Sequence, residues 1–193
     1  ARAAAFARWL SVTSAARQLD PATLRLASAD ASFRRYFRID HLDRSAGSCI
    51  IMDAPPALED CAPFVKIAAL MAEAGLNAPR VLAWDEAQGF MLLTDLGDHT
   101  MMSAIDPARP QANHALYMQA VDALIAWQLS SKPGVLPPYD EALLQRELSL
   151  FPDWYLQKHR GLEVQGKMRD TLDRMFQMLV AHNLAAPSVY VHR

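Results

Sequence analysis

Three arginines, Arg34, Arg35 and Arg38, follow a small polar turn, Ser28-Ala29-Asp30-Ala31-Ser32, and flank Tyr36 and Phe37. Small turn residues let backbone N–H groups approach an anion, and guanidinium groups add charge in a fork geometry. The segment therefore suits a lid over a phosphorylated ligand, although it is not glycine-rich: no Gly precedes Gly47. An exposed hairpin with solvated arginines is the competing reading. Further on, Phe90-Met91-Leu92-Leu93 runs into an acidic connector, Thr94-Asp95-Leu96-Gly97-Asp98, which taken alone is equally an ordinary strand and turn. Glu147 precedes Phe151, Trp154 and Tyr155. Carboxylates accept from hydroxyls and aromatic faces stack on C–H surfaces, the chemistry of a sugar site. A helix whose aromatics fill the core explains the same pattern. Finally, Val189-Tyr190-Val191 reads as a short strand entering His192-Arg193. The 6 His and 2 Cys do not fall at zinc-ligand spacing, and neither a Gly-x-Ser-x-Gly nor a phosphate-loop motif occurs.

The elements that must position these groups divide into two kinds. An amphipathic opening helix carries Phe6, Trp9 and Leu10 on one side. Strands are expected at 23–28, 33–41 and 47–53, with a hairpin through the polar 40–47 segment. Pro55-Pro56 ends the third strand, and a helix follows over 58–74, with Phe64, Ile67, Ala68, Leu70 and Met71 at helical spacing and Gly75 as its stop. Strands at 80–84 and 89–94 complete a β-β-β-α-β-β order, which suits an antiparallel sheet with one helix packed on it. Past Gly97 the patterns turn helical, over 111–130 (Leu116, Val121, Leu124, Ile125 and Trp127 on one stripe), 139–159 and 164–183. Pro152 marks a possible bend.

The chain has 193 residues, 52% hydrophobic and 21% charged, with a net charge of −2, so it can build a sizeable core and carries no global field for nucleic acid or anionic lipid. No apolar run is long enough for a membrane span, and the alanine-rich start lacks the apolar centre of a signal peptide. Cys49 and Cys61 lie in separate elements, which fits free thiols in a reducing cytoplasm better than a disulfide. The start at Ala1 rather than Met implies that at least one residue precedes it.

Taken in order, Asp30–Arg38, Ile51-Met52-Asp53-Ala54-Pro55-Pro56, Glu59-Asp60 with Pro63-Phe64, Leu92–Asp98, Glu147-Leu148 with Phe151 and Trp154-Tyr155, and Val191-His192-Arg193 resemble the aminoglycoside phosphotransferase-like kinases. Within them, the chain is similar to the bacterial sugar 1-kinases that act on N-acetylmuramate and N-acetylglucosamine in peptidoglycan recycling. The resemblance implies an α+β, protein-kinase-like fold of the aminoglycoside phosphotransferase/choline kinase type. Residues 1–95 would form the N-terminal antiparallel sheet lobe, 96–99 a hinge, and 100–193 the first helices of the helical C-terminal lobe. It implies a cytoplasmic ATP-dependent phosphotransferase with a small-molecule sugar and ATP as partners, and neither nucleic acid nor membrane. Ala31, Ser32, Phe33, Arg34 and Arg35 would cover the ATP phosphates, with Tyr36 above adenine. Thr94, Asp95, Leu96 and Gly97 would hold adenine, and Glu147, Trp154 and Tyr155 would lie near the sugar. His192 and Arg193 would position the catalytic loop. An aminoglycoside or choline-like acceptor, or a non-catalytic nucleotide-binding protein, remains open on these residues.

Two departures follow. Protein kinases carry a Lys on the third strand to grip the α/β-phosphates, whereas this strand reads Ile50-Ile51-Met52-Asp53. Arg34, Arg35 or Arg38 would have to offset the phosphate charge, with Lys66 as the fallback. Asp53 is unsuited to touching phosphate and is expected to cap the next helix or bond to a loop Arg. Second, no metal ligand is identified. The catalytic Asp and the Mg²⁺ ligands are expected beyond Arg193, in a remainder on the order of 100–150 residues.

Overall fold

The computed structural model describes residues 1–29 and 33–191. Close packing divides it into two compact units, Ala1–Trp127 and Gln128–Arg193. The first unit begins with helix α1 (Arg2–Arg17), which ends where Gln18 adopts the left-handed conformation, φ 55°. A short 3₁₀ turn at Pro21–Thr23, capped by Asp20, leads to β1 (Arg25–Ala29). β2 (Arg35–Asp40) and β3 (Ser48–Asp53) form the expected hairpin. α2 (Ala62–Glu73), β4 (Val81–Asp85) and β5 (Phe90–Thr94) follow. All neighbouring strands are antiparallel in the order β1-β2-β3-β5-β4. The predicted strand order is thus the observed one, and the fold is α+β.

α2 starts at Ala62 rather than residue 58. Pro55 closes a turn on itself, its carbonyl accepting from the Leu58 and Glu59 amides, each at 2.9 Å. The helix then opens with Pro63 in its first turn, where a missing N–H costs nothing. Gly75, at φ +73°, ends this region as expected.

Strand alternation sends successive side chains to opposite faces, and the two faces are filled differently. One holds Leu19, Ile39, Cys49, Ile51 and Leu92, covered by Phe6, Trp9 and Leu10 of α1 and by Phe37. Phe6 and Trp9 lie 5.5 and 5.6 Å from the buried Phe90 ring. The other face holds Met52, Ala54, Cys61, Met91 and Leu93, packed by Tyr36, Ile50 and, from α2, Phe64 and Val65. Gly89 lets β5 begin close to the end of β3: a Cβ there would sit 1.9 Å from the Ala54 carbonyl oxygen, at φ +68°. Cys49 and Cys61 are free, buried thiols, one on each face. Burial pushes both thiols above the usual cysteine range.

α3 (Met101–Ala104) and α4 (Pro110–Leu129) follow the sheet. Of the predicted α4 stripe only Trp127 is fully buried, while Val121, Leu124 and Ile125 are exposed. The second unit contains α5 (Glu141–Leu150), capped by the Asp140 carboxylate accepting from the Leu143 amide at 2.9 Å. Directly after it comes a π-helical segment, Phe151–His159, and then α6 (Gly166–Ala185). Pro152 explains the widened turn: it has no N–H to close an α-helical bond onto Leu148. The ladder then spans longer steps, as in the Arg160 amide donating to the Tyr155 carbonyl at 2.9 Å. The strand expected at Val189–Val191 does not form. Strand geometry needs a ladder partner, and the Tyr190 amide instead donates to the Ser131 hydroxyl at 2.8 Å. Among the described residues no helix is long and apolar enough to cross a membrane.

Candidate functional site

β2, with Arg34 immediately before it, is the spine of the candidate site, and alternation along this stretch separates the three arginines. Arg35 has the parity of Phe37 and its guanidinium lies 5.7 Å from that ring. It bonds to Oδ2 of Asp53, whose Oδ1 accepts from Arg2 of α1. Asp53 is fully buried. The Arg2 guanidinium also donates to the Gln88 carbonyl at 3.0 Å and lies 4.6 Å over the Phe90 ring. A buried carboxylate between two guanidinium groups is satisfied on both oxygens, which suits an internal fastening of α1 to the sheet. Asp53 thus bonds to a loop-side Arg, one of the two roles expected for it.

Arg34, Tyr36 and Arg38 share the opposite parity, toward the α2 side. At one end, the Glu59 carboxylate accepts from the Phe33 amide at 3.1 Å through Oε1 and from Arg34 Nε at 3.0 Å through Oε2. Burial works against the charge on Arg34, but hydrogen bonds to Tyr36 and Glu59 outweigh it and raise its pKa. At the other end, Arg38 donates to both Asp95 oxygens, at 2.5 and 3.0 Å, and to the Gly97 carbonyl at 3.0 Å. Asp95 also accepts from the Ser48 hydroxyl at 2.6 Å and the Gly97 amide at 2.9 Å. Burial alone would raise the Asp95 pKa; the Arg38, Ser48 and Gly97 donors more than reverse this and bring it to about 2. The connector is therefore held in one shape by a carboxylate that stays ionised.

Beside that clamp, the Thr94 hydroxyl accepts from the Arg80 amide at 2.9 Å. Leu96 is half exposed, at the bend between Asp95 and Gly97 (φ 94°). Phe33 is exposed as well. The structure so brings Arg34, Tyr36, Arg38 and Asp95 to one face of the sheet and turns Arg35 to the other. Ala31, Ser32, His192 and Arg193 lie outside the described residues.

In the second unit Glu147 is half-buried, 3.7 Å from Arg146. Phe151, Trp154 and Tyr155 are all about half exposed, so they do not fill a core. At the π-helical turn, residues four apart lie nearly above one another. Phe151 stacks on Tyr155 at 5.6 Å and Tyr155 meets His159 at 5.6 Å, while Lys158 Nζ sits 3.6 Å from the Trp154 ring centroid. This is an exposed aromatic ladder with a cation beside it, a surface suited to C–H stacking and polar contact. Glu59, Arg2 and Ser48 were not singled out as site residues. Their partners are 25 to 51 positions away, and only strand register brings them together. Among the described residues no group of three or more His, Cys, Asp or Glu could hold a metal ion.

Residues 23–193 match the model of the phosphotransferase enzyme family, and the chain belongs to that family. It is similar to the N-acetylmuramate/N-acetylglucosamine kinase of Pseudomonas aeruginosa, 50% identical over 176 residues covering 91% of this chain and 50% of that protein. It also resembles the proteins of the same name from Pseudomonas putida (44% over 172 residues, 89% of this chain, 49% of that protein) and Neisseria meningitidis serogroup B (39% over 186 residues, 96% and 54%). The chain spans about half the length of these curated relatives.

Proposed function

We propose that the protein to which this chain belongs transfers the γ-phosphoryl group of ATP to the anomeric hydroxyl of an amino sugar, N-acetylmuramate or N-acetylglucosamine. The observation that carries the geometry is the placement of Arg34, Tyr36 and the Asp95-clamped connector along one face of the sheet. The relatives' names support the choice of acceptor. In this reading residues 1–95 hold the nucleotide, 96–99 form the hinge, and 100–193 carry the acceptor side. Thr94–Gly97 offer backbone groups to adenine, and Ala31, Ser32 and Phe33 cover the phosphates. Glu147, Trp154 and Tyr155 receive the sugar.

The bond from γ-phosphorus to the β,γ-bridging oxygen breaks and a bond from phosphorus to the anomeric oxygen forms. The hydroxyl proton leaves to a base, giving sugar 1-phosphate and ADP. None of the 193 residues is assigned as that base; His192 and Arg193 position the catalytic loop. Mg²⁺, when bound with ATP, would supply positive charge against the phosphates, and no described residue is assigned to hold it. What this chain's residues contribute is orientation and fixed charge, which dominate phosphoryl transfer. A cytoplasmic role in peptidoglycan recycling fits such a product.

The test is transfer of ³²P from labelled ATP to N-acetylmuramate and N-acetylglucosamine by the full-length protein. A labelled sugar 1-phosphate is expected, and Trp154→Ala should raise the sugar KM while leaving the ATP KM in place. Absence of turnover with every amino sugar would sink this reading.

A further inference from the structure

We infer that Arg34 and Glu59 form the ion pair that presents positive charge to the nucleotide phosphates, with Arg34 as the phosphate ligand and Glu59 as its positioning residue. The inference rests on the nucleotide-binding reading above. It identifies what takes the place of the lysine that protein kinases carry on the third strand.

The two faces of the sheet offer a ligand different side chains. The α1 side is filled by Phe6, Trp9 and Leu10 packed on Phe37, Ile39, Ile51 and Leu92. Arg35 lies on that side, committed with Arg2 to a buried carboxylate. On the other face, which α2 packs with Phe64 and Val65, Arg34, Tyr36 and Arg38 follow one another at alternate positions, so a nucleotide running along β2 on that side would meet these side chains. At the rise of an antiparallel strand, Arg34 and Arg38 are roughly 14 Å apart, a span comparable to an extended nucleoside triphosphate. Arg38 is at the connector end, fixed to Asp95 and the Gly97 carbonyl. That leaves Arg34 at the triphosphate end.

The third strand is apolar or already committed on this face. Its residues on this face are Ser48, Ile50 and Met52: Ser48 is bonded to Asp95, and Ile50 and Met52 belong to the apolar cluster. No cation stands there, and Arg34 reaches the same face from the neighbouring strand.

Arg34 is held in place by Glu59. Glu59 sits in the turn after β3, its amide bonded to the Pro55 carbonyl at 2.9 Å. One carboxylate oxygen takes the Phe33 amide and the other takes Arg34 Nε. The two side chains are 26% and 12% exposed, so the pair is partly withdrawn from solvent and weakly screened. A guanidinium oriented through Nε is a pre-set fork for phosphate oxygens. In protein kinases a carboxylate from the following helix orients the lysine in the same manner; here it comes from the turn that precedes α2.

The experiment uses the full-length protein with ATP–Mg²⁺ and N-acetylglucosamine. Arg34→Ala should raise the ATP KM about tenfold to a hundredfold, the loss expected for one charged hydrogen-bonding group, without moving the sugar KM. Arg34→Lys should recover part of it. Glu59→Gln, which keeps the shape and removes the charge, should raise the ATP KM by about three- to tenfold with little change in Tm. An ATP KM within about twofold of wild type in both Arg34→Ala and Glu59→Gln overturns the inference. So does a large rise in Lys66→Ala alone, since it would move the phosphate charge to α2. If the wild type turns over no amino sugar, its ATP-dependent Tm shift still decides the question. Loss of that shift in Arg34→Ala supports the ion pair while the acceptor reading falls, and an equal shift in both proteins overturns the pair.

Discussion

The two faces of β2 put the same side chain to opposite uses. On the α1 face, Arg35 joins Arg2 around a buried Asp53, and everything nearby is apolar and packed. On the α2 face, Arg34 and Arg38 are each oriented by a single carboxylate near the solvent boundary, Glu59 and Asp95. In the first case two partly exposed guanidinium groups neutralise a buried carboxylate, and removing both would leave an uncompensated buried ion. In the second the carboxylates aim the guanidinium groups along a line. Neighbouring arginines are therefore not one basic patch: alternation puts Arg35 with a buried carboxylate on one face and Arg34 and Arg38 with boundary carboxylates on the other.

The sharpest way to break this contrast is Asp53→Ala. Two guanidinium groups would lose their shared anion, and stability should fall by about 3–5 kcal/mol, read from urea denaturation. A loss below about 1 kcal/mol, the value of an exposed pair, would mean the α1 face is held by its apolar contacts alone. Asp95→Asn comes next, with an expected loss of about 2 kcal/mol at neutral pH, from a carboxyl brought down to about 2. Because its folded pKa lies below the unfolded value, its contribution is full above about pH 4 and disappears as the pH falls toward 2. The gap between wild type and Asp95→Asn should close over that window; a gap that stays constant would assign the effect to shape rather than charge. Arg35→Ala should be the smallest, about 1 kcal/mol, since its side chain is 58% exposed and Arg2 still covers Asp53. Its ATP KM is the critical reading: a tenfold rise would erase the distinction between the faces.

Much of the sheet unit was legible in the sequence. Alternating apolar residues, the Pro55-Pro56 break and Gly75 placed five strands and α2 in the right order, because those signals are local. The start of α2 was missed by four residues, since a proline-closed turn imitates a helix in composition. The sorting of Arg34 from Arg35 was not legible, because it depends on which face α1 covers. Glu59 stood out only as part of the Glu59-Asp60 motif; its pairing with Arg34 was not legible, because it comes from a turn folding back 25 residues onto the start of β2. The ladder of Phe151, Tyr155 and His159 was hidden for a different reason. At helical spacing these residues suggest a core stripe, and the local pattern does not reveal that this face of the π-helical segment is left exposed.

The two cysteines carry a practical consequence. Cys49 and Cys61 are the chain's only thiols, and both are sealed in the sheet clusters, 3% and 6% exposed, with their ionisation suppressed. To a maleimide dye the folded chain is almost silent. Phe33, 63% exposed beside Arg34, is a natural place for one introduced thiol, and a fluorophore attached there would report on this edge of the sheet without removing either native cysteine.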